Sequence, residues 1–397
     1  MKNKEFGRRE FIKIAAGSAL VMLSNRGPAL FAKEVLPNSR SHYKVFSKGR
    51  IGNLKIKNRL IKAASATAAT TDDCTFLDGG TDMYRDWSKG GAGLIITGHM
   101  AVTPIPPGTF SHNLTCISDD RFIPQLHKIA EAVHNADSEC KVVAQINHIG
   151  MRSLTNPVAA SSVPWPHIKK KPRGLSTFEV REIRDSFVAA AKRAREAEFD
   201  GVEIHGAHGY LLNTFLSPYT NKRTDAYGGA LENRVRIVAE IVDRIKTSVH
   251  PDFAVLVKTN CDDGLGDAGI HAANFPQLAH ELEKTGIDAI EISGAKPARK
   301  DIDAPEKQSY FAVYAENLDP LIPVISTGGN KSIDVVEEIC QRGKVDFFGF
   351  ARPLIAEPDL PNRWLEMVGD AQCECISCNE CLDYLFEGQK LVTCQVM

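Results

Sequence analysis

Eight short apolar runs rich in β-branched residues recur along this chain: 59–64, 93–98, 141–147, 202–205, 254–260, 289–293, 323–327 and 347–351. A longer segment with helical periodicity follows each of them. Buried strands that alternate with helices give parallel sheets, and eight such units are the number that closes into a (β/α)8 TIM barrel rather than an open sheet. With 397 residues the chain can hold a fold of that size as a single domain. No solenoid repeat or low-complexity linker divides it.

Several helices carry their own stop and start signals. Ser176 and Glu179 have the spacing of a capping box ahead of the amphipathic run to Phe199, and Gly201 ends that run. A second long helix is expected from Leu231 to Val249, before Pro251. The formal net charge of −1 points to neither a nucleic-acid surface nor an acidic tail.

Chemistry in such barrels collects at the C-terminal ends of the strands, and the polar residues lie there in this sequence. Gln145 and His148 close the third strand, His205 and His208 the fourth, and Lys258 and Asn260 the fifth. His205 and His208 can aim N–H groups at one substrate oxygen, and Tyr210 can act as a general acid. From local composition alone the same residues read equally well as a hydrogen-bonded structural loop. Their clustering on one rim favours a site, because core histidines have no reason to gather there.

After the seventh and eighth strands come Ser326–Asn330 and Gly349–Arg352. Gly328 and Gly329 let backbone amides approach a phosphate, and Arg352 adds charge, so a phosphate-bearing cofactor is expected.

The stretch from Gly201 to Gly229 carries a resemblance. His-x-x-His-Gly-Tyr-Leu, Phe-Leu-Ser-Pro, Asn-x-Arg-Thr-Asp-x-Tyr-Gly-Gly and Glu-Asn-Arg resemble the Old Yellow Enzyme family of FMN oxidoreductases in its bacterial branch, and the likeness runs from about Tyr43 onward. The resemblance implies that His205 and His208 grip the activating oxygen of the substrate and that Tyr210 donates the proton. It implies flavin contacts at Ala63, Ala64, Gly98, Gln145 and Lys258, with the phosphate against Gly328, Gly329, Ala351 and Arg352. Two positions depart from the family pattern. Lys258 stands where an arginine is usual, which keeps the charge but loses the bidentate fork. Met151 replaces another usual arginine, with Arg152 one residue later, so weaker polar contact is expected at that edge.

Ten cysteines occur, and Cys375, Cys378 and Cys381 lie at two-residue intervals with Cys394 after a gap of twelve. Three close thiolates with a distant fourth suit a [4Fe–4S] cluster. Zinc sites more often show two separated knuckles, and disulfides do not explain the triple spacing. The tail is similar to that of the family branch containing 2,4-dienoyl-CoA reductase and trimethylamine dehydrogenase. Cys74, Cys116, Cys140, Cys261, Cys340 and Cys373 read for the most part as buried, inert thiols. Ala66 occupies the neighbourhood in which the amine-dehydrogenase relatives attach their flavin, so covalent attachment is not expected.

The N-terminus resembles a twin-arginine export signal: Arg8 and Arg9 precede an apolar run from Ile14 to Leu23 that is too short to span a bilayer. Gly7 departs from the usual Ser or Thr. The expected organisation is a signal at 1–32, a barrel at 40–370 and an iron–sulfur tail at 371–397, with a periplasmic location and no integral membrane span. Electrons are expected from a separate cytochrome or flavoprotein. The expected function is reduction of an activated C=C bond in a small unsaturated molecule. An amine dehydrogenase and a non-catalytic electron-transfer subunit are the alternatives, and a homo-oligomer is left open.

Overall fold

The computed structural model describes residues 39–110, 113–166, 168, 170–386 and 391–396; the expected twin-arginine signal at 1–32 lies outside the described residues. Eight strands form the framework: β1 (Leu60–Lys62), β2 (Leu94–Ile96), β3 (Lys141–Asn147), β4 (Gly201–Gly206), β5 (Ala254–Asp262), β6 (Ala289–Gly294), β7 (Val324–Thr327) and β8 (Phe347–Phe350). Each pairs in parallel with its neighbour, and β8 pairs with β1, so the sheet closes as a TIM barrel.

Around it run α1 (Asp82–Lys89), α2 (Ile123–Ala136), α3 (Thr177–Glu196), α4 (Leu211–Leu216), α5 (Leu231–Ser248), α6 (Phe275–Glu283), α7 (Ile333–Arg342) and α8 (Arg352–Ala356). The expected capping box is present at α3. The Ser176 hydroxyl accepts from the Glu179 amide, and Glu179 accepts from the Ser176 amide. The connection from β6 to β7 departs from the expected helix. It holds two 3₁₀ turns, Pro305–Lys307 and Ala312–Ala315, because prolines and polar residues interrupt the periodicity there.

Successive residues of a barrel strand face alternately in and out. Residues such as Val202, Ile204, Val255, Val257, Ile290 and Ile292 face out and meet the helices. Inside, Ile61, Leu94, Val143, Leu256, Ala289 and Ile325 pack into a dry layer, joined by Ile51 and Ile56 from a hairpin of Gly49–Ile51 with Leu54–Ile56. Continuing up the same inward rows, the residue types turn polar: Gln145 after Val143, Lys258 after Leu256 and Glu291 after Ala289. That change of chemistry along each strand sets the floor of the site.

The C-terminal segment closes against the barrel, with α9 (Leu360–Leu365) and α10 (Glu380–Phe386) flanking the cysteine loop. The Ile333 amide donates to Ala371 O and the Cys373 amide to Lys331 O, while Arg363 donates to Val368 O, Asp370 O and Gln372 O. Barrel and tail belong to one unit, Asn38–Met397. Among the described residues no helix is long and apolar enough to cross a membrane.

Two of the cysteines read as inert thiols are paired instead. Cys74 and Cys116 form a disulfide with Cα atoms 5.7 Å apart, within the reach of that bond. It ties the loop after β1 to the segment that follows β2. Nothing in the spacing of the two residues announces it, since they lie 42 positions apart.

Candidate active site

An open cavity of about 280 Å³ sits at the C-terminal mouth of the barrel. Its lining includes the three expected catalytic residues and seven of the nine expected cofactor contacts: Ala64, Gln145, Lys258, Gly328, Gly329, Ala351 and Arg352. The other two lie behind it. The Ala63 amide donates to Phe350 O, and Gly98 lies so close to Ser65 O that a Cβ would come within 2.6 Å. Both shape the wall without lining it.

His205 ends β4 facing inward and is 3% exposed. Its Nδ1 lies 3.4 Å from the Ala207 amide, which donates to it, and this leaves the proton on Nε2. His208 takes a positive φ of 58°, an uncommon conformation for a residue with a Cβ. Its amide donates to Asn260 Oδ1, and its Nε2 lies 2.9 Å from Ser293 Oγ. The turn swings its ring perpendicular to that of His205, with centroids 5.2 Å apart. Backbone strain of this kind persists where surrounding bonds enforce it, as Asn260 and Ser293 do here.

Burial, followed by the charges of Lys258, Arg152 and the neighbouring imidazoles, holds both histidines well below the usual imidazole range. At neutral pH they are therefore uncharged donors. Tyr210 packs 4.7 Å from His205 between ring centroids, and burial raises its phenol above the usual value against the opposing charge of Arg152. A protonated phenol beside two neutral N–H donors can stabilise a developing oxyanion and deliver a proton.

His99 completes this cluster, and the sequence reading missed it. It follows Gly98 at the end of the second strand, its Nε2 is 3.3 Å from the Tyr210 hydroxyl, and its Nδ1 is 3.1 Å from the Asn147 amide nitrogen. With Asn147 donating to Nδ1, the Nε2 proton points at the phenol oxygen and leaves the phenol proton free to face the cavity. The available signal was a polar residue just past a barrel strand, the same signal that singled out His205.

Beneath these rings lies the polar layer. Lys258 Nζ donates to Glu291 Oε1 at 2.7 Å, both groups at most 3% exposed, and Gln145 Nε2 donates to Glu203 Oε2 at 2.6 Å. Burial and the nearby Glu291 push Glu203 well above the carboxylate range. For Glu291 burial is the largest single effect and pushes upward, but the charge and hydrogen bond of Lys258 together with the hydrogen bond from Glu203 hold it below that range. The layer thus holds one proton between two carboxyl groups. Lys258 keeps its expected place on the floor, with its ammonium ion-paired to Glu291.

Lys62, at the top of β1, is the second buried amine. It donates to Ala63 O and Ser65 Oγ and lies 4.1 Å from the centre of the Trp87 ring. Burial, then the charge of Lys258, lowers its pKa from 10.5 to about 7, against the pull of Glu291. Between those two values the unfolded chain holds a proton that the folded one lacks, so this residue's contribution to stability rises with pH across that window. Below about pH 7 its full destabilising effect is present. Denaturant titrations of wild type and Lys62→Met should therefore diverge in favour of wild type by about 1 kcal/mol per pH unit as pH climbs from 7 towards 10.

At the far end, Gly329 has a φ of 75°, and a Cβ on it would strike the Tyr310 ring at 2.3 Å, so only glycine fits. Arg352 lines the cavity with Gly328 and Gly329 and donates to Ser377 O, Asn379 Oδ1 and Arg299 O, which fastens the cysteine loop to the cavity wall. The buried Thr327 hydroxyl on the lining has no hydrogen-bond partner among the described residues. A floor of Lys258, Gln145 and this hydroxyl, with glycines and cations at one end, fits a planar heteroaromatic ring that carries a phosphate.

Cys375, Cys378, Cys381 and Cys394 line one smaller cavity together with Arg352 and Asn379. Among the described residues no three metal-ligating side chains converge on a single ion. Ser377 and Asn379, interleaved with these cysteines, have positive φ values of 60° and 72°.

The NADH:flavin oxidoreductase / NADH oxidase family matches residues 44–368, and the chain belongs to that family. NADH oxidase of Thermoanaerobacter brockii is 36% identical over 84% of this chain and 52% of its own length. Cinnamate reductase of Clostridium sporogenes is 30% identical over 90% of this chain and 58% of its own length. The solved structure of histamine dehydrogenase from Rhizobium sp. 4-9 superposes with a TM-score of 0.71 at 27% identity, covering 85% of this chain and 50% of that one. The chain thus spans about half the length of these relatives.

Proposed function

We propose that the protein is an FMN- and [4Fe–4S]-dependent ene-reductase that draws electrons from a separate donor and saturates an activated C=C bond. The observation that carries this reading is the convergence of His205, His208 and the Tyr210 phenol over the Lys258 and Gln145 floor of one cavity. FMN, when bound, supplies the hydride. The neutral imidazoles hold the oxygen that conjugates with the double bond and stabilise charge developing there. Tyr210 gives its proton to the α-carbon, and its place against His99 keeps the hydroxyl oriented.

Alanine at His205 or His208 should lower kcat/KM by about 10²–10³-fold, the loss expected when one oxyanion donor is removed. Unchanged values in both variants would remove the grip from the mechanism.

The tail supports a cluster through the chemistry and placement of its donors: four cysteines border one small cavity. Residues in the left-handed region between them turn backbone amides into concavities of the kind that cradle iron–sulfur sites. Cys375, Cys378, Cys381 and Cys394 are the residues that would hold such a cluster. The cluster, when bound, carries single electrons. Export by the twin-arginine route to the periplasm is part of the proposal. It is supported by Arg8 and Arg9 and by the Cys74–Cys116 disulfide, a bond favoured in oxidising compartments.

An amine dehydrogenase fits the cavity less well. A substrate cation favours an aromatic cage, whereas the described lining has Tyr210 as its one Phe, Tyr or Trp side chain and includes Arg152, Lys258, Lys331 and Arg352. Anaerobic protein given reduced viologen with enoates and enones, or an electron acceptor with amines, separates the readings. Turnover of an unsaturated acid or ketone is expected. Amine oxidation alone, or no turnover by flavin-loaded protein, would overturn it.

A further inference from the structure

We infer that the substrate is an α,β-unsaturated carboxylate and that Arg152 is the residue that selects it. This deepens the ene-reductase reading and rests on it.

Among the described residues that line the cavity, none is Asp or Glu, while Arg152, Lys258, Lys331 and Arg352 bring full positive charges. Most of these are engaged already. Lys258 is paired with Glu291, Lys331 with Asp303, and Arg352 is bound to three acceptors around the cysteine loop. Arg152 differs. Its Nε donates to His208 O at 2.7 Å, and its guanidinium carbon stands 5.1 Å from the centre of the Tyr210 ring. Neither terminal nitrogen has a hydrogen-bond or ion-pair partner among the described residues. A guanidinium fork therefore remains available at the substrate end, fixed by its Nε to the very loop that carries His208.

Chemistry gives that fork a task the histidines cannot perform. When hydride from the bound reduced cofactor reaches the β-carbon, the π electron pair moves onto the α-carbon and its activating group. For a ketone the result is a monoanionic enolate, which two neutral N–H donors can hold. A carboxylate already bears one charge and becomes a dianion, until the Tyr210 proton reaches the α-carbon and returns it to the monoanionic saturated acid. Because His205 and His208 are uncharged, the second charge needs a cation beside them, and Arg152 is the cation placed there. One carboxylate oxygen meets the imidazoles and the other meets the fork. The shift from Met151, which is buried against Ala159 and Trp165, to Arg152 thus relocates the charge from the usual position to the substrate edge.

The test compares an acid with its neutral ester on the full-length, flavin-loaded protein. Binding of 3-phenylpropanoate and of its methyl ester is measured by calorimetry for wild type, Arg152→Gln and Arg152→Lys, and reduction of the corresponding unsaturated acid and ester is followed with reduced viologen. Wild type should prefer the acid in both measurements. Arg152→Gln should cut the acid-to-ester ratio by about tenfold or more, and Arg152→Lys should restore part of it. A ratio unchanged in Arg152→Gln, or a wild type that binds the ester as tightly as the acid, would overturn the assignment while leaving ene-reduction intact if the ester is reduced. Reduction of neither compound, with acid binding that still depends on Arg152, would count against ene-reduction and leave the carboxylate site standing.

Discussion

Tyr210→Phe should slow reoxidation of the reduced flavin by an unsaturated substrate by about 10²–10⁴-fold, the range for loss of a positioned general acid. Reduction of the flavin by an artificial donor should be unaffected, because the phenol acts only when the α-carbon takes its proton. The substitution keeps the ring that packs against His205 and His99, so it removes the proton and little else. Rapid mixing under anaerobic conditions measures the two half-reactions separately. Equal loss in both would make Tyr210 a structural residue, and no loss in either would move the acid elsewhere.

Replacing Cys375, Cys378 or Cys381 with serine should have the other large effect. A cubane needs four thiolates, so anaerobically purified wild type should hold about four irons per chain and each variant close to none. Electron delivery from a one-electron protein donor should fall with the iron, while a small reductant that reaches the flavin directly still works. One zinc per chain in wild type would favour a structural metal instead. Arg352 links the two effects, since it lines both cavities and holds Ser377 and Asn379 in place.

The barrel was legible in the sequence because parallel strands buried on both faces leave uninterrupted apolar runs. Val142–Ala144 and Ala254–Val257 are examples, and they lie within the third and fifth strands. The capping box at Ser176 was legible for a local reason: both of its bonds lie within four residues. His205, His208 and Tyr210 stood out because a strand-end loop brings together what is already close in sequence.

What escaped the reading depends on distance along the chain. His99 meets Tyr210 across 111 positions, and Cys74 finds Cys116 across 42. The bonds from Arg352 to Ser377 and Asn379 of the cysteine loop likewise join residues 25 and 27 positions apart. The Lys258–Glu291 pair is intermediate. Register places the two residues opposite each other on β5 and β6, but the sequence alone does not state which rows face inward.

The most direct test of the account is a single turnover. Flavin-loaded protein is reduced stoichiometrically without oxygen, mixed with an unsaturated acid, and followed by flavin absorbance together with product analysis. The account predicts that the bleached chromophore recovers and that one saturated acid forms per flavin. A flavin that stays reduced in the presence of every unsaturated acid, ester and ketone supplied would contradict it.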